Sequence, residues 1–421
     1  MRKNILKIVA ILIALCLTAQ AFAFNTTKRV TIASNGEGDL LIFPAYFTGG
    51  GWESKVTLVN TSQKNSVVVH MAIRRSIDSA EKDFFIFLPP TDIFTMFVKQ
   101  NKHSIPVMET SDGSVVIRND CYTTGDYITA HDGKPFQLEL GPGWEMGYIV
   151  AVAVAQTDLI EYSTTKDICN NYRKIIGASL PASHHTESYH GVDYDYYDWN
   201  VPDNVLTGTI EVYNIQTNAR GVIKAFALKD YKNTKATNLG EILQIGVNSE
   251  NTLAEVNAVL ANNHVVIPNT DTGITMLITT SLIGSEAYKD KAADYTIYDT
   301  DGIIERSSSL PSSSFAGMTP IIFPDETLGW MLLDYNDYNG SVTSGVAADG
   351  VTTISVNGGV PVIHTIMHII LEADNTIQGM DWFYASSQMS NIIYNDTPVS
   401  HYAPVSLSSS LCTSDLDSCS Y

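Results

Sequence analysis

The chain has 421 residues, of which 44% are hydrophobic and only 17% charged, with 25 basic against 45 acidic side chains. That length supports two or three domains with proper cores, and that apolar content excludes an intrinsically disordered chain. A net charge of −20 excludes recognition of nucleic acid through its phosphates and adhesion to an anionic membrane face, both of which need clustered cations.

The first 23 residues read as a secretory signal: Arg2, Lys3 and Lys7 precede the apolar run Ile8 to Leu17, and Ala21-Phe22-Ala23 supplies the small-x-small cleavage pattern. The run is short of the ~20 residues that span a bilayer, so no membrane span is expected in the mature chain. Removing these residues takes away three cations and no acid, leaving 22 against 45, or −23. Four cysteines stay: Cys121, Cys169, Cys412 and Cys419. An even number in an exported chain suggests disulfides, and nearest-neighbour pairing is the simplest of the three arrangements, with free thiols or a metal site left open.

The expected fold is mainly β: antiparallel, sandwich-like domains with one short amphipathic helix. A first β domain is expected over 24–179, where Lys55 to Asn60 alternates polar and apolar residues and Ser66 to Arg74 is β-branched at its start. With the turn-like NTSQKN between them, these two read as a hairpin. Phe84 to Leu88, Ile93 to Val98 and Ser114 to Arg118 continue the series, and Tyr148 to Ala155, apolar on both faces, reads as a central strand. Residues 180–204 form a Tyr/His/Asp-rich insertion loop.

A second β segment is expected over 205–306, with strands at Thr207 to Asn214 and Gly221 to Leu228. Its helix, 252–262, has capping-box spacing at Thr252-Leu253-Ala254-Glu255, with Leu253, Val256, Val259 and Leu260 on one face. A Ser-rich linker (307–317), a C-terminal β domain (318–405) and a Ser-rich tail (406–421) complete the expectation. Ile322-Phe323-Pro324 before Gly329-Trp330 echoes Ile42-Phe43-Pro44 before Gly51-Trp52; two copies of a short motif suggest duplication or two strand starts of one type.

The densest candidate site lies in the insertion loop: His184, His185, His190, Asp193, Asp195 and Asp198, interleaved with tyrosines. Imidazole and carboxylate suit a transition metal, and alternating aspartates suit Ca²⁺ or another divalent cation. A solvated surface loop, or aromatic platforms for sugar rings, are the other readings. His364 and His368 have helical zinc spacing, but VIHTIMHII is β-branched; on a strand they stand about 13 Å apart, too far to share an ion. Asp299-Thr300-Asp301-Gly302 fails the register of a calcium loop and reads as a hairpin turn. No nucleophile elbow or phosphate loop occurs, so no enzyme is expected.

The stretch from Phe43-Pro44 through Gly49-Gly50-Gly51-Trp52 to Thr61-Ser62, with Leu88-Pro89-Pro90-Thr91-Asp92, Leu206 to Glu211 and Asn251 to Val256, resembles a group of uncharacterised secreted bacterial proteins regarded as cell-surface or surface-layer components. The resemblance implies an envelope location, cell surface or periplasm, and a β-rich fold, and it carries no catalytic residues. The expectation is therefore an exported structural or adhesive protein that associates with itself or with envelope polysaccharide. The alternative is a secreted carbohydrate-binding or carbohydrate-cleaving protein.

Overall fold

The computed structural model describes residues 30–116, 135–157, 185–189, 192–196 and 201–231, and beyond these only strands between 261 and 399. All regular structure among the described residues is antiparallel β-sheet. The first strands are β1 (Thr31–Ile32), β2 (Leu40–Phe47), β3 (Trp52–Asn60), β4 (Ser66–Arg75), β5 (Glu81–Leu88) and β6 (Ile93–Gln100). Then come β7 (Pro106–Thr110), β8 (Val115–Val116), β9 (Phe136–Glu139) and β10 (Met146–Thr157), followed by β11 (His185–Tyr189) and β12 (Val192–Tyr196). β13 (Leu206–Asn214), β14 (Arg220–Lys224) and β15 (Phe226–Lys229) close the series.

Apart from the β11–β12 hairpin, these strands form a sandwich. One sheet runs β1-β15-β2-β10-β4-β5-β8 and the other β14-β13-β3-β6-β7-β9. Their inner faces meet over Phe43, Met71, Phe84 and Ile149 on one side and Val56, Leu58, Phe94 and Ile210 on the other, all in one buried cluster. Burial periodicity separates the sheets. Strand β3 alternates, with Ser54, Val56, Leu58 and Asn60 buried, because its other face meets solvent. Strands β2 and β4 are buried at nearly every position, as in a sheet covered on both faces.

This difference corrects the expected hairpin. β3 pairs with β13 and β6, whereas β4 pairs with β10 and β5, so the connection 61–65 carries the chain from one sheet to the other. The boundary expected at 205 also falls inside the sandwich, since β13 pairs with β3 and β15 with β2. Strand β10 is central, between β2 and β4, as its two-sided apolar pattern predicts.

Local chemistry sets the corners. Gly50 and Gly51 have φ of 60° and 85°, and Gly49 and Trp52 exchange backbone hydrogen bonds of 3.2 and 3.0 Å, a type I′ turn that glycine alone adopts freely at both positions. Immediately beyond it β2 and β3 splay into different sheets. There the Ser54 hydroxyl accepts from the Phe47 N–H and donates to the Phe47 carbonyl, both at 2.8 Å, replacing the ladder. In β2, Pro44 and Ala45 lie opposite the single residue Tyr148, a bulge that accommodates a residue with no N–H.

Close backbone approach fixes another glycine. A Cβ at Gly147 would stand 1.8 Å from the Arg74 carbonyl oxygen and 2.7 Å from the Tyr46 ring. Gly147→Ala is expected to cost about 3 kcal/mol, as overpacking of a rigid site does; a lower urea midpoint at unchanged slope is the readout.

The C-terminal strands are β16 (Ala261–Asn262), β17 (His264–Asn269), β18 (Gly273–Ser281), β19 (Asp294–Asp299), β20 (Ile304–Ser309), β21 (Met318–Ile322) and β22 (Gly329–Asp334). After them come β23 (Ser341–Val346), β24 (Thr353–Asn357), β25 (Val360–Leu371), β26 (Ile377–Tyr384), β27 (Ile392–Tyr394) and β28 (Thr397–Val399). They form three sheets: β21-β18-β25-β26 with β16 also on β25, β17-β22-β19-β20, and β23-β24-β27-β28. Of the helix expected over 252–262, residues 252–260 lie outside the described residues and Ala261–Asn262 is a strand. Strands on both sides of the expected linker pair with one another, β18 with β21 and β19 with β22, so the boundary at 307–317 does not separate two domains.

The β18-β25-β26 sheet packs onto the flank of the sandwich. The Thr280 hydroxyl donates to the Pro44 carbonyl (2.7 Å, buried) and the Tyr384 hydroxyl to the Lys224 carbonyl (2.5 Å). Tyr384 meets Phe226 edge-on at 5.7 Å, and Ile278, Ile363, Met367, Met380 and Trp382 join the sandwich's buried cluster.

Candidate interaction surface

The six-stranded sheet buries one face and presents the other. Alternation along β13, β3 and β6 turns outward what the core does not take: Thr207, Thr209, Glu211 and Tyr213; Glu53, Lys55, Thr57 and Val59; Ile93, Thr95, Phe97 and Lys99. Register assembles these into rows. Thr209, Thr57 and Thr95 lie side by side across three strands, with Lys224 at the end. The next row runs Val222, Glu211, Lys55, Phe97, Glu109 and Gln137. Tyr213 follows, between Arg220 and Glu53.

The polar groups of this face are held by one another. The Tyr213 hydroxyl donates to Glu53 Oε2 at 2.6 Å, Lys99 Nζ meets Glu109 Oε1 at 2.5 Å, Arg220 meets Glu211 at 3.3 Å, and the Gln137 amide donates to Glu109. Desolvation and then the Glu53 carboxylate push the Tyr213 phenol well above its ordinary range. Burial alone raises Glu109, but the hydrogen bonds from Lys99 and Gln137 outweigh it and hold the carboxylate below its usual value. Both groups therefore keep one charge state through neutral pH.

Two properties set the face apart. Lys55, Lys99, Lys224 and Arg220 balance Glu53, Glu109, Glu139 and Glu211 on a chain that carries 45 acids against 25 bases. Ile93 (53% exposed) and Val222 (52%) are among the large apolar side chains left open. A flat, charge-balanced sheet with hydroxyl rows and scattered apolar groups suits broad contact through many weak interactions.

Two other polar clusters brace the fold. Arg74, buried, meets Glu81 at 2.5 Å and donates to the Ser79 carbonyl at 3.2 Å, while the Tyr148 hydroxyl donates to Ser79 Oγ at 2.9 Å. This fastens the β4–β5 turn, where Ser79 has a φ of 56°. His70, buried against Phe85, lies 3.2 Å from Asp83.

The residues predicted as metal ligands are only partly described. His185 is in β11 and Asp193 and Asp195 in β12; register pairs Asp195 with Thr186 and Asp193 with Ser188, but His185 with Tyr196, the alternate position of the ladder. His184, His190 and Asp198 lie outside the described residues, as do Cys121, Cys169, Cys412 and Cys419. His364 and His368 do stand on a strand, β25, opposite Thr279 and Thr275. Asp301 and Gly302 lie outside the described residues, and the strands on either side of them, β19 and β20, pair antiparallel. The sheet face escaped the sequence reading because its residues come from strands spread between positions 53 and 224. The available signal was the polar half of each alternating strand.

No protein-family model, no curated protein and no solved structure matches the chain.

Proposed function

We propose that this is an exported structural or adhesive protein of the bacterial cell surface, of surface-layer type, which associates with copies of itself. The observation that supports the reading is the charge-balanced outer face of the β14-β13-β3-β6-β7-β9 sheet. On a mature chain carrying 22 bases and 45 acids, most surfaces of two copies repel. This face is where two copies can approach without that penalty, and a two-fold contact sets its lysines against its glutamates. Packing one sheet on another is also the ordinary means of covering a flat β surface.

Sedimentation velocity of the mature chain over a range of concentrations, with and without Ca²⁺, is the test. Assemblies that grow with concentration are expected, and a strictly monomeric protein under both conditions would refute the proposal. Attachment to envelope polysaccharide is the second reading, favoured by Tyr213 and Phe97 lying beside threonine hydroxyls. It predicts retention on a glycan array that Tyr213→Ala lowers by about tenfold, roughly the 1.4 kcal/mol of one lost sugar-stacking contact.

A further inference from the structure

We infer that residues 261–384 are a circularly permuted second copy of the N-terminal sandwich. The first unit's sheets contain the runs β2-β10-β4-β5 and β14-β13-β3-β6, flanked by β1, β15, β8, β7 and β9, and the second's the runs β21-β18-β25-β26 and β20-β19-β22-β17. Matched position by position, these orders make β21 the counterpart of β2, β22 of β3, β25 of β4 and β26 of β5. They make β17 the counterpart of β6, β18 of β10, β19 of β13 and β20 of β14. Along the chain the eight matched strands of the first unit come as β2, β3, β4, β5, then β6, β10, β13, β14. The second has the same two blocks in reverse order: β17, β18, β19, β20, then β21, β22, β25, β26.

Sequence follows the same assignment. Ile42-Phe43-Pro44 and Gly51-Trp52 straddle the step from β2 to β3, and Ile322-Phe323-Pro324 and Gly329-Trp330 straddle the step from β21 to β22. Both steps leave one sheet for the other. Val212-Tyr213-Asn214 ends β13 and Ile297-Tyr298-Asp299 ends β19, with Val212 and Ile297 both fully buried; in this register Trp330, opposite Tyr298, takes the place of Glu53, so the Gly-Trp pair lies one position further along β22 than along β3. The hairpins correspond as well, β4–β5 with β25–β26 and β13–β14 with β19–β20.

A permutation requires that the old ends be neighbours and the new ends lie at a former loop. In the first unit β15, which directly follows β14, pairs with β2, so the unit's two ends meet. In the second, β16 pairs with Val360 and Pro361 on β25, just past the pairing of Thr365 with Tyr384 on β26. The chain thus enters beside the place where β26 leaves, where the first unit has its β5–β6 connection.

The copy keeps the strand order and not the charge pattern of the outer face. The row of Thr296, half-buried in β19, runs Ser307, Thr296, Leu332 and Val266, and the row beside it sets Asp294 and Asp334 next to His264, with no lysine or arginine in either. The charge-balanced face thus belongs to the first unit.

A rearranged chain tests this. Within the full protein, residues 318–384 are moved to precede 261–309, joined by four residues like those between β5 and β6, which gives the second unit the strand order of the first. Cooperative unfolding near the wild-type urea midpoint is expected, and a molten product would overturn the inference. A control rearrangement with the cut moved into β22 is expected to lose cooperativity, and equal behaviour of the two chains would also overturn it.

Discussion

Aspartate at position 60 is expected to cost about 4 kcal/mol at neutral pH, the scale of an uncompensated buried charge. Asn60 ends β3, is fully buried, and shares its two Nδ2 hydrogens among three carbonyl oxygens: Asn65 at 2.8 Å, Pro89 at 2.9 Å and Leu88 at 3.1 Å. Its Oδ1 accepts from the Ser62 N–H at 3.0 Å. One carboxamide thus ties the β3–β4 crossing to the β5–β6 crossing and clamps the two sheets at one end. Asn60→Asp replaces the donor with a carboxylate facing three oxygens. Asn60→Ala merely leaves those carbonyls short of a partner, for about 2 kcal/mol. The two separate by pH: the aspartate variant's folded-state pKa is raised, so its deficit relative to wild type is full at pH 7 and shrinks as the carboxyl protonates, while the alanine deficit stays flat. Urea midpoints of both variants between pH 7 and 4 are the measurement, and parallel curves would refute the account.

Acid is expected to destabilise the second unit through His364. Burial holds this imidazole down to about 3 from an ordinary 6.5, so the folded protein keeps it neutral where the unfolded chain already binds a proton. The contribution is whole above pH 6.5 and drains as the pH falls toward 3, by a total of about 5 kcal/mol. Calorimetry of wild type and His364→Leu should show the wild-type midpoint falling more steeply between pH 6.5 and 4. Equal slopes would show that another group carries the acid sensitivity.

Strands were legible in the sequence because side-chain period and β-branching act locally. The one-sided alternation of Lys55 to Asn60 and the two-sided apolarity of Tyr148 to Ala155 both have the burial they imply. Pairing was not legible. Neighbours in the chain suggested that β3 and β4 pair, yet the buried carboxamide at Asn60 marks a crossing between sheets, and only the contrast between an alternating and a continuous strand hinted at it. The face was hidden because its rows run across strands far apart in sequence. The second unit was hidden for a related reason: permutation preserves spatial neighbours and scrambles their order, leaving only short echoes, Phe-Pro with Gly-Trp and the matching ends of β13 and β19.

The bulge at Pro44 bears on how the chain is made. Strand β15 covers β2 only from Leu40 to Ile42, and the Pro44 carbonyl is taken up by Thr280, more than two hundred residues later. As synthesis proceeds from the amino terminus, the first sandwich can assemble while this stretch of β2 still waits for its cover, and exposed edges recruit strands from other molecules. A chain interrupted anywhere between the two units therefore leaves a sticky fragment, one whose clumping should be relieved by supplying the missing half in trans.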